Sequence, residues 1–147
     1  MRICFFGHAS FYGSEELKRN LMAILYEYIN KEDCEFLFGG YGGFDSFAYS
    51  CVSELSSKNK IIKTYVTPYI TESYLKNQLE YHRAKYDGVI YPDIESVPYK
   101  FAISARNKWM IAHSDLVICY IDRAYGGAYA AVKSVKKPVI NLGQYEI

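Results

Sequence analysis

Short apolar runs, most of them closed by glycine or proline and followed by apolar residues at helical spacing, alternate along this chain. Strands joined by helices in this way satisfy both faces only as a parallel sheet with helices packed on each side. Residues 3–6 form the first run and end at Gly7 and His8. Ser14 then has the character of a helix N-cap, with Glu15 and Glu16 suited to the positive helix start. Leu17, Leu21, Ile24, Leu25 and Tyr28 follow as one stripe. Residues 36–38 read as a second strand, and a helix starting near Asp45 or Ser46 buries Ala48, Cys51, Val52 and Leu55. Residues 61–67 and 88–91 read as strands, with one helix predicted across 72–86 and another across 101–113. Residues 116–121 form an apolar strand, followed by a helix through Ala128, Ala131, Val132 and Val135 and a last strand over 138–142. The expectation is a single Rossmann-like α/β domain over residues 1–147. Its parallel sheet has about five or six strands with helices on both faces.

Composition narrows the functions open to such a domain. At 147 residues the chain fits one hydrophobic core. A formal charge of +1 leaves no broad basic face for duplex DNA or anionic lipid, so nucleic acid is not expected as a partner. No apolar run approaches the roughly 20 residues of a membrane span, and no leader precedes Gly7, which predicts a cytoplasmic, soluble protein. Cys4, Cys34, Cys51 and Cys119 form no CxxC pair and read as reduced, buried hydrophobes; neither a metal site nor a cofactor is expected. Sixteen tyrosines suit either stacking on bases or subunit interfaces.

Three segments join a strand end to a helix start through glycine: residues 7–14, 39–45 and 122–127. Ligands of open parallel sheets sit at this carboxyl edge. Glycine permits close backbone approach, and helix starts offer free N–H groups to phosphate. Gly39-Gly40-Tyr41-Gly42-Gly43 is the densest of the three. It lacks the GxGxxG spacing of dinucleotide-binding folds and the Gly-Lys-Ser/Thr of a P-loop, which removes both readings.

The ordered series Cys4-Phe5-Phe6-Gly7-His8-Ala9-Ser10, Leu37 through Asp45, Ser104 through Met110, Ser114 through Ile118, Gly126-Gly127 and Lys137 through Ile140 resembles the SLOG superfamily, which includes LOG-like and DprA-like proteins. The resemblance implies a Rossmann-like fold that holds nucleotides or molecules derived from them, and a homo-oligomer. LOG-type enzymes cleave the N-glycosidic bond of nucleoside 5′-monophosphates with an arginine, matched here by Arg106, and a glutamate, whose position is held by Ala131. Asp45 and Asp122 are the carboxylates at hand. Asp45 either caps its helix or serves the site, and Asp122 is a candidate for ribose hydroxyls. His8 is a loop residue or a phosphate contact, and Arg106 suits phosphate through bidentate donation. Trp109 reads as core or interface; Tyr69, Tyr91 and Tyr99 either pack or cover the pocket.

The expected function is a sensor or sequestering protein for a nucleotide-derived small molecule, in phage–bacterium conflict. The expected ligand set is Gly7, His8, Ser10, Gly39, Gly40, Tyr41, Gly42, Gly43, Asp45, Arg106, Asp122, Gly126, Gly127 and Ala128. The alternative is a nucleoside 5′-monophosphate N-glycosidase, or a related nucleoside transferase, acting through Arg106, Asp45 and Asp122.

Overall fold

A computed structural model describes all 147 residues. Six strands, β1 (Arg2–Gly7), β2 (Cys34–Phe38), β3 (Ile61–Val66), β4 (Gly88–Ile90), β5 (Leu116–Tyr120) and β6 (Val139–Asn141), pair in the order β4-β3-β2-β1-β5-β6. Every pairing is parallel. The chain therefore steps outward from β1 to β4 and returns to the other side of β1 with β5. That reversal places a crevice beyond the carboxyl ends of β1 and β5, the position where open α/β sheets bind their ligands.

Alternation along β1 divides the core. Ile3 and Phe5 join a cluster built on α1 (Glu15–Ile29) and α2 (Gly43–Ser53), where Leu21, Leu25, Ile29, Phe44, Ala48 and Val52 are fully buried. Cys4 and Phe6 face the opposite layer, with Met110 of α5 (Ala102–Ala112) and Val132 of α6 (Gly127–Val132). Phe5 stacks between Phe36 and Phe38 at centroid distances of 5.9 and 5.2 Å. All four cysteines are buried and free, and burial pushes the Cys4 thiol up to about 12. No helix is long and apolar enough to cross a membrane.

Local signals agree with several element starts. The Ser14 hydroxyl accepts the Leu17 N–H at 3.1 Å, capping α1, and Thr71 does the same for α3 (Glu72–Asn77) by accepting from Tyr74. The C-terminus of α5 has no basic residue in its last turn; Lys137 closes it instead, donating to the carbonyls of Ile111, Ala112 and Ser114.

Helices α2 and α6 end at Ser53 and Val132, before the expected Leu55 and Val135, and two further boundaries differ from expectation. The helix foreseen across 72–86 breaks at Gln78, giving α3 and α4 (Leu79–Lys85). In one continuous helix Tyr74 and His82 would lie about 12 Å apart along the axis. The break lets the Tyr74 hydroxyl reach His82 Nδ1 at 3.2 Å, with Tyr65 stacked 3.8 Å from the same imidazole. Helix α2 begins at Gly43, two residues earlier than the first polar capping candidate, so Asp45 lies inside the first turn and is not its N-cap.

Candidate functional site

A cavity of about 410 Å³ occupies the crevice, lined by the ends of β1, β2 and β5 and by one face of α5. Gly7, His8, Ser10, Gly39, Tyr41, Asp45, Arg106, Gly126, Gly127 and Ala128, all singled out from the sequence, line it together. Gly40, Gly42, Gly43 and Asp122 do not.

His8 follows β1 and is buried. Its Nε2 accepts the backbone N–H of Asp122 at 3.2 Å, bridging the crevice from the β1 loop to the β5 loop. Burial, followed by the charge of Arg123, lowers the His8 pKa, against an opposing pull from Asp122. In the neutral ring that accepts at Nε2, the proton sits on Nδ1. Nδ1 has no protein partner and faces Gly126, where an added Cβ would stand 3.8 Å away. Asp122 Oδ1 lies 3.2 Å from the same Nε2, so the tautomer sets whether Nδ1 meets the cavity as a donor or as an acceptor.

The β2 loop is held from both sides. The Gly39 N–H donates to Asp45 Oδ1 at 3.2 Å, and Arg106 Nη1 donates to the carbonyls of Gly39 at 3.1 Å and Val66 at 2.8 Å. Arg106 is 5 % exposed, and its Nε donates to Asn107 Oδ1. This guanidinium ties the ends of β2 and β3 together while one side borders the cavity. Burial pushes the Asp45 carboxyl up to about 6, although the N–H groups of Gly40 and Gly39 and the charge of Arg106 pull the other way.

The remaining glycines of the run serve packing. Gly42, at φ +96°, lies where a Cβ would come within 2.9 Å of the Ala9 Cα, and the Gly43 N–H donates to the Ala9 carbonyl at 2.9 Å. Gly40, at φ +74°, turns its open side to the Tyr65 ring. Three of the run's four glycines therefore let the β1 and β2 loops lie against each other and against Tyr65. Only Gly39 of the four borders the cavity.

The β5 loop is more open. Asp122 pairs with Arg123 at 2.6 Å, and this hydrogen bond holds the Asp122 carboxyl below its usual range. Arg123 lies 5.7 Å from the Tyr125 ring centroid. Tyr125 and Tyr41 stand at the rim, 68 % and 80 % exposed. Sequence reasoning missed Ile103, Asn107, Arg123 and Tyr125 as lining residues. Ile103 and Asn107 share a helical face with Arg106 at spacings of three and four, a signal present in the sequence. Tyr69 and Tyr99 stack on each other at 4.8 Å outside this lining, and Trp109 stacks on His113 at 4.2 Å.

The overall charge hides an asymmetry. Residues 97–147 carry seven Lys or Arg against three Asp or Glu, a formal +4; residues 1–96 carry ten against thirteen, a formal −3. The positive part includes α5, which has no acidic residue, and the β5 loop.

No family model matches the chain, and no curated protein matches it. Among solved structures it is similar to DNA processing protein A from Helicobacter pylori, described for its single-stranded DNA binding mode. The TM-score is 0.60 at 18% identity, over 96% of this chain and 64% of that one, so the chain spans under two thirds of its neighbour's length. The Rossmann-like, DprA-like fold is thereby shown. The same likeness corrects two expectations. A neighbour that takes single-stranded DNA points away from the small-molecule sensor or sequestering protein, and from its glycosidase alternative. It also removes the exclusion of nucleic acid as a partner. The error lay in the charge argument: near-zero net charge speaks against a broad basic face, whereas single strands are held by base stacking and a few local cations.

Proposed function

We propose that this chain binds single-stranded nucleic acid, seating one nucleotide unit in the cavity at the β1/β5 crevice. The observation that carries the reading is the pairing of a polar floor with an aromatic rim. The unpartnered His8 Nδ1 supplies the polar group, a donor in the tautomer that accepts at Nε2, and Tyr41 and Tyr125 supply exposed faces at the mouth. A cavity of about 410 Å³ is of ligand-pocket size, at the small end of the range. Bases of any identity can stack on tyrosine, so sequence preference is expected to be weak. Arg123, beside the Tyr125 ring, is placed for the phosphate that follows. In this reading residues 1–147 act as one binding unit, and the SLOG resemblance narrows to its DprA-like branch. Gly126, Gly127 and Ala128 form the wall that a ligand touches; Asp45 and Arg106 position Gly39.

Fluorescence anisotropy with a labelled oligothymidylate and the matching duplex tests the proposal. The single strand should bind more tightly than the duplex. Tyr41→Ala and Tyr125→Ala should each weaken it roughly tenfold, the loss of one stacked base. Equal affinity for the duplex, or binding indifferent to both tyrosines, would refute it.

A further inference from the structure

A second exposed apolar surface begins where the cavity ends. Ile103 lines the cavity and is itself half exposed. One turn earlier in the chain, the 3-10 turn Tyr99–Phe101 presents Phe101, 51 % exposed, and Tyr99, 69 % exposed. Tyr99 lies against the half-buried Tyr69 with ring planes 18° apart, which holds it flat and leaves its other face to solvent. The Lys100 ammonium sits 5.1 Å from the Phe101 ring centroid. Residues 97–114 contain no Asp or Glu, so no carboxylate of this segment opposes an incoming phosphate.

Apolar patches of this kind on a protein surface mark interaction sites. Three features select the occupant. The patch lies two residues before Ile103, which lines the cavity, its exposed rings flank a cation, and the segment is positive where most of the chain is negative. A protein surface of ordinary charge would satisfy the first feature alone. We infer that Phe101 and Tyr99 form a stacking track for the bases adjoining the nucleotide in the cavity, with Lys100 meeting the backbone between them. The inference rests on the proposed function and extends it from one nucleotide to a short single strand with a defined path over the start of α5.

The test compares a thymidine dinucleotide with a hexanucleotide on the wild type, on Tyr99→Ala/Phe101→Ala and on Lys100→Glu. The wild type should bind the hexanucleotide more tightly. The double variant should lose roughly tenfold on the hexanucleotide and nothing on the dinucleotide, and Lys100→Glu should lose several-fold in the same pattern. A hexanucleotide carrying 5-iodouracil should photocross-link to Tyr99 or Phe101, read by peptide mass. A hexanucleotide advantage that survives the double variant overturns the track and leaves the cavity reading standing. Wild-type protein that binds neither oligonucleotide removes both. Sedimentation of the wild type as a dimer and of the double variant as a monomer makes the patch a subunit contact, which also overturns the track.

Discussion

The β2 and β5 loops both carry glycines at the carboxyl edge of one sheet, and they use them in opposite ways. In the β2 loop, Gly40 and Gly42 have left-handed backbones and neighbours close enough to exclude a Cβ. Asp45 and Arg106 grip Gly39 from its two ends. In the β5 loop, Gly126 shares the left-handed backbone at φ +97° but faces only His8 Nδ1, and a Cβ on Gly127 would meet nothing within 4 Å. A glycine cluster in sequence thus marks two different needs: bare backbone so that loops can pack together and, in the function proposed here, bare backbone so that a ligand can approach. Neighbouring atoms distinguish them, and glycine count does not.

The largest effect should follow from breaking the packed loop. Gly42→Val combines a strained φ with a collision at Ala9, and chemical denaturation should show a loss of about 3 kcal/mol or more, or failure to fold. A well-folded Gly42→Val protein of wild-type stability would mean that the loops do not interlock. Arg106→Met comes next. It removes the Nη1 donor shared by the Gly39 and Val66 carbonyls, for an expected loss of about 2–3 kcal/mol. Arg106→Lys should recover part of it.

Asp45 sharpens the comparison through pH. Its carboxyl titrates at about 6 in the folded protein against 3.8 as the ordinary value. Between those values the unfolded chain has released its proton while the folded chain still holds it. Stability contributed by the protonated group is therefore full below 3.8, declines as pH rises, and levels off above about 6. Asp45→Asn keeps an acceptor for the Gly39 N–H and should flatten that slope, ending more stable than the wild type at neutral pH by up to about 3 kcal/mol. An unchanged slope would show that another group titrates. Gly127→Val, in the open loop, should change stability by less than about 0.5 kcal/mol. The same substitution should weaken single-strand binding, since its side chain enters the cavity.

Much of the fold was legible because its signals are local. Ser14 announces α1, the apolar runs announce β1, β2, β3 and β5, and the stripe through Leu21 and Leu25 announces a packed face. The break at Gln78 was not legible, because its cause is a tertiary contact between Tyr74, His82 and Tyr65. Ten of the fourteen expected site residues line one cavity, since strand order alone brings the glycine turns to the same edge. The purpose of each residue was less accessible. Arg106 reads as a phosphate ligand in isolation, yet its Nη1 is engaged by two carbonyls that only the sheet order places beneath it. The positive last third was present in the sequence and vanished in a single sum over the whole chain.

The central claim is that a single strand meets the open β5 loop and the rim tyrosines, while Gly42 and Gly43 of the packed loop only hold that loop against the β1 loop. Amide chemical shifts recorded during titration with a short oligothymidylate test it most directly. His8, Tyr41, Gly126, Gly127 and Ala128 should shift with saturation while Gly42 and Gly43, packed against Ala9, stay in place. Shifts concentrated at Gly42 and Gly43, or no shifts at a saturating concentration of strand, would contradict it.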